Sequence, residues 1–159
     1  MAYNSTSWTS EALSKAGGSV TQTVLGATSF KIKILPVDFM GNDDVNNHWY
    51  IEDDGSNYGG RIAHASTEIY AYIDVPTGFT ATKVKINGSD TDDEVQVYTL
   101  DLDDGTISSE ISNSSLTVGD DTDLSTNHVG ADDKVLLIKI VTDDTYAIVY
   151  GGYVPLQRT

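Results

Sequence analysis

The sequence predicts an all-β protein, folded as an antiparallel β-sandwich with a jelly-roll-like arrangement of strands. Short segments in which apolar and polar residues alternate recur from residue 29 onward, and clusters of Gly, Pro, Asn and Asp separate them. No long stretch repeats its apolar residues every 3.6 positions, as an amphipathic helix would. A chain of 159 residues suits one domain. We therefore expect a single sandwich domain over residues 29–159.

Residues 1–28 differ from the rest of the chain. They are rich in Ser, Thr, Gly and Ala, and their few apolar residues are scattered. This composition predicts a poorly structured N-terminal arm. Such an arm is either a frayed terminus or an extension that docks its apolar residues on a neighbouring subunit.

The first clear strand signal is the alternation over residues 30–35. Ile32 and Ile34 share one face, lysines occupy the other, and Pro36 ends the segment because it has no backbone N–H. Residues 67–74 predict a second strand, on which Tyr70 and Tyr72 share a face.

Further strand predictions follow along the chain. A turn at residues 76–78 precedes a strand over 80–86, and the Asn-Gly pair at 87–88 predicts a hairpin turn. The next strand covers 94–102 and closes at the turn 103–105. The Ser-rich stretch 107–118 is weaker and predicts an edge strand or two short strands. Residues 134–142 are apolar on both faces, which predicts a central strand covered on both sides, and residues 145–154 form the last strand.

Acidic residues are concentrated in one third of the chain. Thirteen of the 24 acids lie between Ile86 and Asp133, where there is no Lys or Arg. They are Asp90, Asp92, Asp93, Glu94, Asp101, Asp103, Asp104, Glu110, Asp120, Asp121, Asp123, Asp132 and Asp133. Because Asp favours turns and these positions coincide with the predicted turns, we expect solvated loops at one or both ends of the sandwich.

The overall charge excludes several kinds of partner. The formal net charge is −15 with nine basic residues, whereas nucleic acids and anionic membranes attract clustered Lys and Arg. We therefore expect neither nucleic acid nor a membrane as partner. No cysteine is present, and the N-terminus has no signal-peptide pattern. The lysines lie mostly on predicted strands away from the acidic loops, which indicates a charge-polarised molecule whose lysine-bearing strands dock on an acidic neighbour.

Calcium is the one metal that the acidic loops suggest, in a structural role. Ca²⁺ takes six to eight oxygen ligands from closely spaced carboxylates and carbonyls. Asp101, Asp103 and Asp104, followed by a glycine, are candidate ligands, and the loops 89–94 and 119–123 are comparable. The three histidines His48, His64 and His128 are too far apart in sequence for a zinc motif.

Several aromatic residues have two competing interpretations. Either they form a platform for a sugar, because aromatic faces suit the apolar faces of sugar rings, or they are core and subunit-interface residues. They are Trp49, Tyr50, Tyr58, Tyr70, Tyr72 and Tyr153. Catalysis has no comparable signal, because nucleophile elbows and phosphate loops are missing and 24 acids offer too many carboxylate pairs to single one out. We expect no enzyme, no catalytic residue and no cofactor beyond structural calcium.

Three segments of the chain have a recognisable sequence pattern. The first is Lys-Ile-Lys-Ile-Leu-Pro-Val-Asp-Phe at 31–39 with Asn-Asp-Asp at 42–44. The others are the stretch 70–86 and the ending Tyr-Gly-Gly-Tyr-Val at 150–154. Together these segments resemble small structural proteins of tailed bacteriophages, of the cyanophage type especially. The resemblance implies a virion protein that decorates or cements the capsid exterior as a homo-oligomer, with the major capsid protein or copies of itself as partners.

Three functions therefore remain open. The resemblance favours a non-enzymatic capsid decoration protein. The aromatic residues favour a tail- or fibre-associated module that binds host glycans. A carboxylate-based polysaccharide hydrolase is the third possibility.

Overall fold

The structure is a computed structural model that describes residues 29–42, 49–53, 58–108, 116–143 and 145–159. The predicted N-terminal arm at residues 1–28 lies outside the described residues. Within them, no helix is long and apolar enough to cross a membrane.

Eleven strands and one short 3-10 turn make up the described residues. The strands are β1 (Ser29–Ile34), β2 (Met40–Gly41), β3 (Trp49–Asp53), β4 (Tyr58–Ile62), β5 (Glu68–Ile73), β6 (Phe79–Gly88), β7 (Glu94–Asp101), β8 (Leu116–Thr117), β9 (Asp121–Val129), β10 (Lys134–Val141) and β11 (Ile148–Arg158). The 3-10 turn spans Pro36–Asp38, directly after the predicted end of the first strand.

These strands form two antiparallel sheets, so the predicted all-β sandwich class is confirmed. The first sheet has the order β3-β4-β11-β6-β9, and β1 also pairs with β11. The second sheet has the order β2-β5-β10-β7-β8. One cluster of buried side chains from both sheets forms the core, and Phe30, Ile32 and Trp49 pack against it. Burying this apolar surface, at about 25 cal/mol per Å², is the main source of stability.

The alternation read from the sequence sets which side chains enter the core. On β5, Ile69, Ala71 and Ile73 are buried, which places Tyr70 and Tyr72 on the outer face of the second sheet. On β6, Val84 and Ile86 are buried as predicted. The period of two along a strand accounts for both cases.

Strand β10 is central, as its two apolar faces predicted. It pairs with β5 on one side and with β7 on the other. Leu136, Ile138 and Ile140 are fully buried in the core. Leu137 points to the outer face, yet it is only 3% exposed.

The predicted hairpin turn at residues 87–88 is wrong. Strand β6 continues through Asn87 and Gly88, which pair with β11. A Cβ on Gly88 would lie 2.7 Å from Cγ1 of Val118 and 2.8 Å from the carbonyl oxygen of Ile148. The glycine therefore serves close packing of the backbone and not a turn. The predicted turn at 76–78 is confirmed, with Gly78 at φ +86°.

Acidic loops lie at both ends of the sandwich. End 1 holds the loops 74–78, 102–106 and 130–133, joined by hydrogen bonds from Thr77 Oγ1 to Asp132 Oδ1 (2.8 Å) and from Leu102 N to the Asp133 carbonyl (2.7 Å). End 2 holds the loops 63–67 and 89–93 and the described residues 142–143 and 145–147. The placement of acids in turns is wrong for Asp121 and Asp123, which lie on strand β9.

Candidate functional site

A groove runs along the outer face of the second sheet. Its volume is about 410 Å³, within the range of small-ligand sites. Its lining residues are Met40, Gly41, Asn42, Tyr70, Tyr72, Leu100, Gly105, Ile107 and Leu137. Strands β2, β5, β10 and β7 contribute six of them side by side, so a rigid sheet forms the base of the groove, and Asn42, Gly105 and Ile107 come from the adjoining loops.

The base of the groove is apolar and partly aromatic. Tyr72 is 48% exposed and lies opposite Leu137 in the β5–β10 register. On the other side of Leu137 the register places Tyr98 of β7. Leu137 is thus buried between two tyrosines although it faces outward. Such a flat surface of rings and methyl groups suits the apolar face of a sugar ring.

A cluster of polar groups borders this base, centred on Glu68 at the start of β5. Its Oε1 is 2.6 Å from Nζ of Lys139, and its Oε2 accepts a hydrogen bond of 2.6 Å from the Tyr70 hydroxyl. The Asn42 amide donates to the same Oε2 over 3.5 Å. Strands β5 and β10, with the residue that follows β2, therefore hold one carboxylate, one ammonium, one phenol and one amide in a fixed arrangement.

A second polar row continues across β7. The Tyr98 hydroxyl donates to Gln96 Oε1 (2.7 Å), and Gln96 Nε2 donates to Glu94 Oε1 (2.9 Å). In the β10–β7 register Gln96 lies opposite Lys139. The register therefore brings the two polar rows side by side at Lys139 and Gln96, beside the apolar base.

The electrostatics of the cluster keep Glu68 ionised. The hydrogen bond from Lys139, followed by that from Tyr70, lowers the pKa of Glu68 below its usual value. Burial, followed by the hydrogen bond to Glu68, raises the pKa of Tyr70 well above its usual value. Glu68 is therefore a permanent acceptor and Tyr70 a permanent hydroxyl at neutral pH. A glycosidase's general acid needs the opposite shift of its carboxyl pKa.

The groove contains only part of the predicted aromatic set. Tyr70 and Tyr72 lie in it. Trp49 borders an adjoining hollow of about 380 Å³, whose lining shares Met40 and Asn42 with the groove. The Trp49 ring also packs edge-on against Phe39, with ring centroids 6.1 Å apart, so it supports the core.

The remaining predicted aromatics lie elsewhere. Tyr50 and Tyr58 are exposed on β3 and β4. Tyr153 lies on the outer face of the first sheet, with Nζ of Lys31 3.8 Å from its ring centroid. Sequence reasoning missed Tyr98 and Leu137. The alternation over residues 94–102 places Tyr98 on the outer face of its strand. That Tyr98 and Leu137 lie beside Tyr72 follows only from the strand order β5-β10-β7.

Two groups of carboxylates have the spacing of a metal site. In the first, ligand oxygens of Asp101, Asp103 and Asp133 lie within 4.8 Å of one another. The predicted pair Asp101 and Asp103 is thus together, but the third member is Asp133 and not Asp104. The Asp104 carboxylate instead accepts hydrogen bonds from the Thr106 N–H and hydroxyl, which lower the pKa of Asp104.

The second group lies at end 2 and contains Asp90, Asp93 and Asp143. Asp93 is 1% exposed, and its Oδ1 accepts the N–H of Asp143 at 3.1 Å. Burial, above all, raises the pKa of Asp93 to about 7. Three carboxylates are fewer than the six to eight oxygens that calcium takes. Structural calcium therefore stays a prediction for both groups.

The two described histidines belong to different elements, His64 to the loop 63–67 and His128 to strand β9. His48 lies outside the described residues. His128 is 2% exposed, and its Nδ1 lies 2.8 Å from Thr99 Oγ1. Burial, followed by the charge of Lys134, lowers the pKa of His128, so its ring is neutral at pH 7. Neither metal-spaced group among the described residues contains a histidine.

Comparisons with known proteins assign the chain to no family. No protein-family model matches the chain, and no curated protein sequence does. One similar solved structure is the crystal structure of the CBM22-1 and GH10 modules of the N-terminal endo-1,4-beta-D-xylanase 10B of Clostridium thermocellum, complexed with xylohexaose. The identity is 16% and the TM-score 0.44, over 83% of this chain and 28% of the xylanase chain. The chain thus spans less than a third of that chain, and so distant a likeness says nothing about what the groove binds.

Proposed function

We propose that the protein is a non-catalytic glycan-binding module that holds a segment of a sugar chain in the groove on its second sheet. The observation that carries this proposal is the pairing of an apolar, tyrosine-bearing base with two rows of fixed polar groups. Sugars present apolar ring faces and hydroxyls that both donate and accept. Tyr72 and Leu137 suit the ring faces, and Glu68 with Lys139 suits the hydroxyls.

The charge of the molecule favours a neutral glycan. The chain carries a net charge of −15, which repels polyanionic sugars at long range. Lys139, the one cation of the polar rows among the described residues, is already engaged by Glu68. A carboxylate or sulfate on the sugar would have to compete with that ion pair.

A glycan array followed by calorimetry tests the proposal. We expect saturable binding of a neutral oligosaccharide that Tyr72→Ala weakens by about tenfold or more, since a lost aromatic contact costs on the order of 1 kcal/mol or more. Tyr58→Ala is the matched control, because Tyr58 is also an exposed strand tyrosine but lies outside the groove lining. Trp49→Ala is a poorer probe, because Trp49 packs against the core. Absence of any binding glycan, or equal losses in both tyrosine variants, would refute the proposal.

A virion structural role, with the protein decorating the capsid, is the second candidate. Exposed apolar side chains next to β1 favour this role. Leu35 precedes the 3-10 turn and is 51% exposed, and Val37 lies within the turn and is 66% exposed. Such side chains suit burial against another subunit. The resemblance to phage structural proteins implies the major capsid protein, or further copies of the chain, as that subunit. Mass spectrometry of purified particles, with rebinding of the recombinant protein to stripped capsids, tests this role, and absence from particles would rule it out.

A further inference from the structure

Two edges of the first sheet carry opposite charges. Among the described residues β1 pairs only with β11, and β9 pairs only with β6, so each strand has one edge without a partner strand. Strand β1 has exposed Lys31 and Lys33 two positions apart, and β9 has exposed Asp121 and Asp123 two positions apart. Both pairs stand on the outer face of the sheet.

The sheet itself shows how such strands fit together. Strand β6 carries Lys83 and Lys85, and its register with β9 places Lys83 opposite Asp123 and Lys85 opposite Asp121. Nζ of Lys83 lies 3.0 Å from Oδ1 of Asp123. Residues 31–34 of β1 read Lys-Ile-Lys-Ile, and residues 83–86 of β6 read Lys-Val-Lys-Ile. Strand β1 thus repeats the pattern that already pairs with β9 inside the molecule.

Strand direction allows the same pairing between molecules. Each neighbouring pair in the order β1-β11-β6-β9 is antiparallel, so β1 and β9 run in opposite directions. A second copy shifted along the sheet therefore presents its β1 antiparallel to β9 of the first copy. At the usual strand spacing of about 4.8 Å, lysines and aspartates two positions apart meet on the same face.

We propose that β9 of one copy binds the β1 edge of a second copy, with Asp121 and Asp123 opposite Lys33 and Lys31 of that second copy. Backbone hydrogen bonds supply the contact, and the charge pairs fix its register. The two contacting edges differ, so the interface is heterologous and the copies form either a closed ring or an open chain. Lysines on an exposed edge strand commonly prevent pairing with another strand. Here the aspartates of β9 neutralise the lysines of β1, so β1 pairs with β9 of another copy and not with other strands.

Sedimentation velocity on the full chain over a range of concentrations tests the proposal. We expect concentration-dependent association by the wild type, and monomers for both Lys31→Glu/Lys33→Glu and Asp121→Lys/Asp123→Lys. Mixing the two variants restores association, because each reversed edge then meets its complement. Lys134→Glu/Arg158→Glu is the control for net charge, since it removes two basic side chains outside β1 and leaves association intact. Circular dichroism confirms that every variant is folded.

Two results overturn the proposal. One is association that survives Lys31→Glu/Lys33→Glu or is not restored in the mixture. The other is a full chain that stays monomeric up to about millimolar concentration. If the backbone amides of β1 are then protected from hydrogen exchange, residues 1–28 of the same chain cover that edge in place of a second copy.

Discussion

At the scale of single residues, Asp93 is the most unusual group in the molecule. It is a buried acid that shares end 2 with Asp90 and Asp143, and burial raises its pKa to about 7. A buried carboxyl disfavours its charged form, and the two nearby acids add to this effect. In the sequence, Asp93 was one acid among thirteen and part of the candidate calcium loop 89–94, with no sign that it is buried.

Asp93→Asn should therefore stabilise the protein at neutral and alkaline pH. The pKa of Asp93 in the folded protein lies above its ordinary value of 3.8, so between about pH 4 and pH 7 the folded protein holds a proton that the unfolded chain loses. The contribution of Asp93 to wild-type stability is therefore greatest below about pH 4, and it is lost as the pH rises to about 7. We expect the variant to gain roughly 3 kcal/mol over the wild type at pH 8 and much less at pH 5.

Urea denaturation at both pH values measures this difference. Asp92→Asn is the matched control, because Asp92 is an exposed acid in the same loop whose side chain lies outside the three-acid group. A lower stability of Asp93→Asn at pH 8 would contradict this interpretation and would indicate that a cation compensates the buried charge.

Gly60 is a second residue whose identity the packing dictates. A Cβ at this position would lie 1.7 Å from the Trp49 ring, closer than any real contact. Gly60→Ala should destabilise the protein by about 1–3 kcal/mol, as overpacking usually does. In a double-mutant cycle with Trp49→Ala, measured by chemical denaturation, most of the Gly60→Ala cost should disappear. Simple additivity of the two changes would show that the ring and the glycine do not compete for space.

At the scale of elements, β10 was the most predictable part of the fold. Its apolar residues on both faces indicated a central strand, and the structure places it between β5 and β7. The segments 30–35 and 80–86 were predictable for a related reason, since strict alternation specifies both the strand and its inward face. The conformation at residues 87–88 was not predictable. The Asn-Gly pair is typical of hairpin turns, whereas here the close approach of Val118 accounts for the glycine.

Ile138→Ala tests the central position of β10. Ile138 is fully buried, so its truncation leaves a cavity and should cost about 2–5 kcal/mol in unfolding free energy. Val129→Ala, on the exposed part of β9, should cost less than about 1 kcal/mol. Guanidinium denaturation of both variants gives the comparison. Equal costs would mean that β10 is not at the centre of the core.

At the scale of the whole molecule, the charge distribution is clearer than the sequence allowed. Acidic loops lie at both ends, Asp121 and Asp123 lie on β9, and the lysines of β1 and β6 share the outer face of the first sheet with these two aspartates. The groove lies on the opposite sheet. Its residues come from β2, β5, β7, β10 and the loops after β2 and β7, and no local pattern joins these segments. The site was therefore predictable only for Tyr70 and Tyr72, which share one strand.

Calcium binding would act on the stability of the whole molecule. A cation bound to the native state alone raises the melting temperature, so a structural site would show as a lower melting temperature in a chelator. Each metal-spaced group has three carboxylates. We therefore expect calcium, if it binds, to stabilise the fold and to leave glycan binding unchanged. Differential scanning calorimetry and glycan titration, each with and without chelator, measure both quantities. Loss of glycan binding in chelator would place a metal in the binding function.

The central claim is that the groove on the second sheet binds a neutral glycan. A nuclear magnetic resonance titration with an oligosaccharide selected on the array tests it most directly, because it locates binding on individual residues. We predict saturating shifts at Tyr70, Tyr72, Tyr98 and Lys139, with Tyr153 and the lysines of the first sheet unchanged. Shifts confined to the first sheet, or no saturating shifts at all, would contradict the claim.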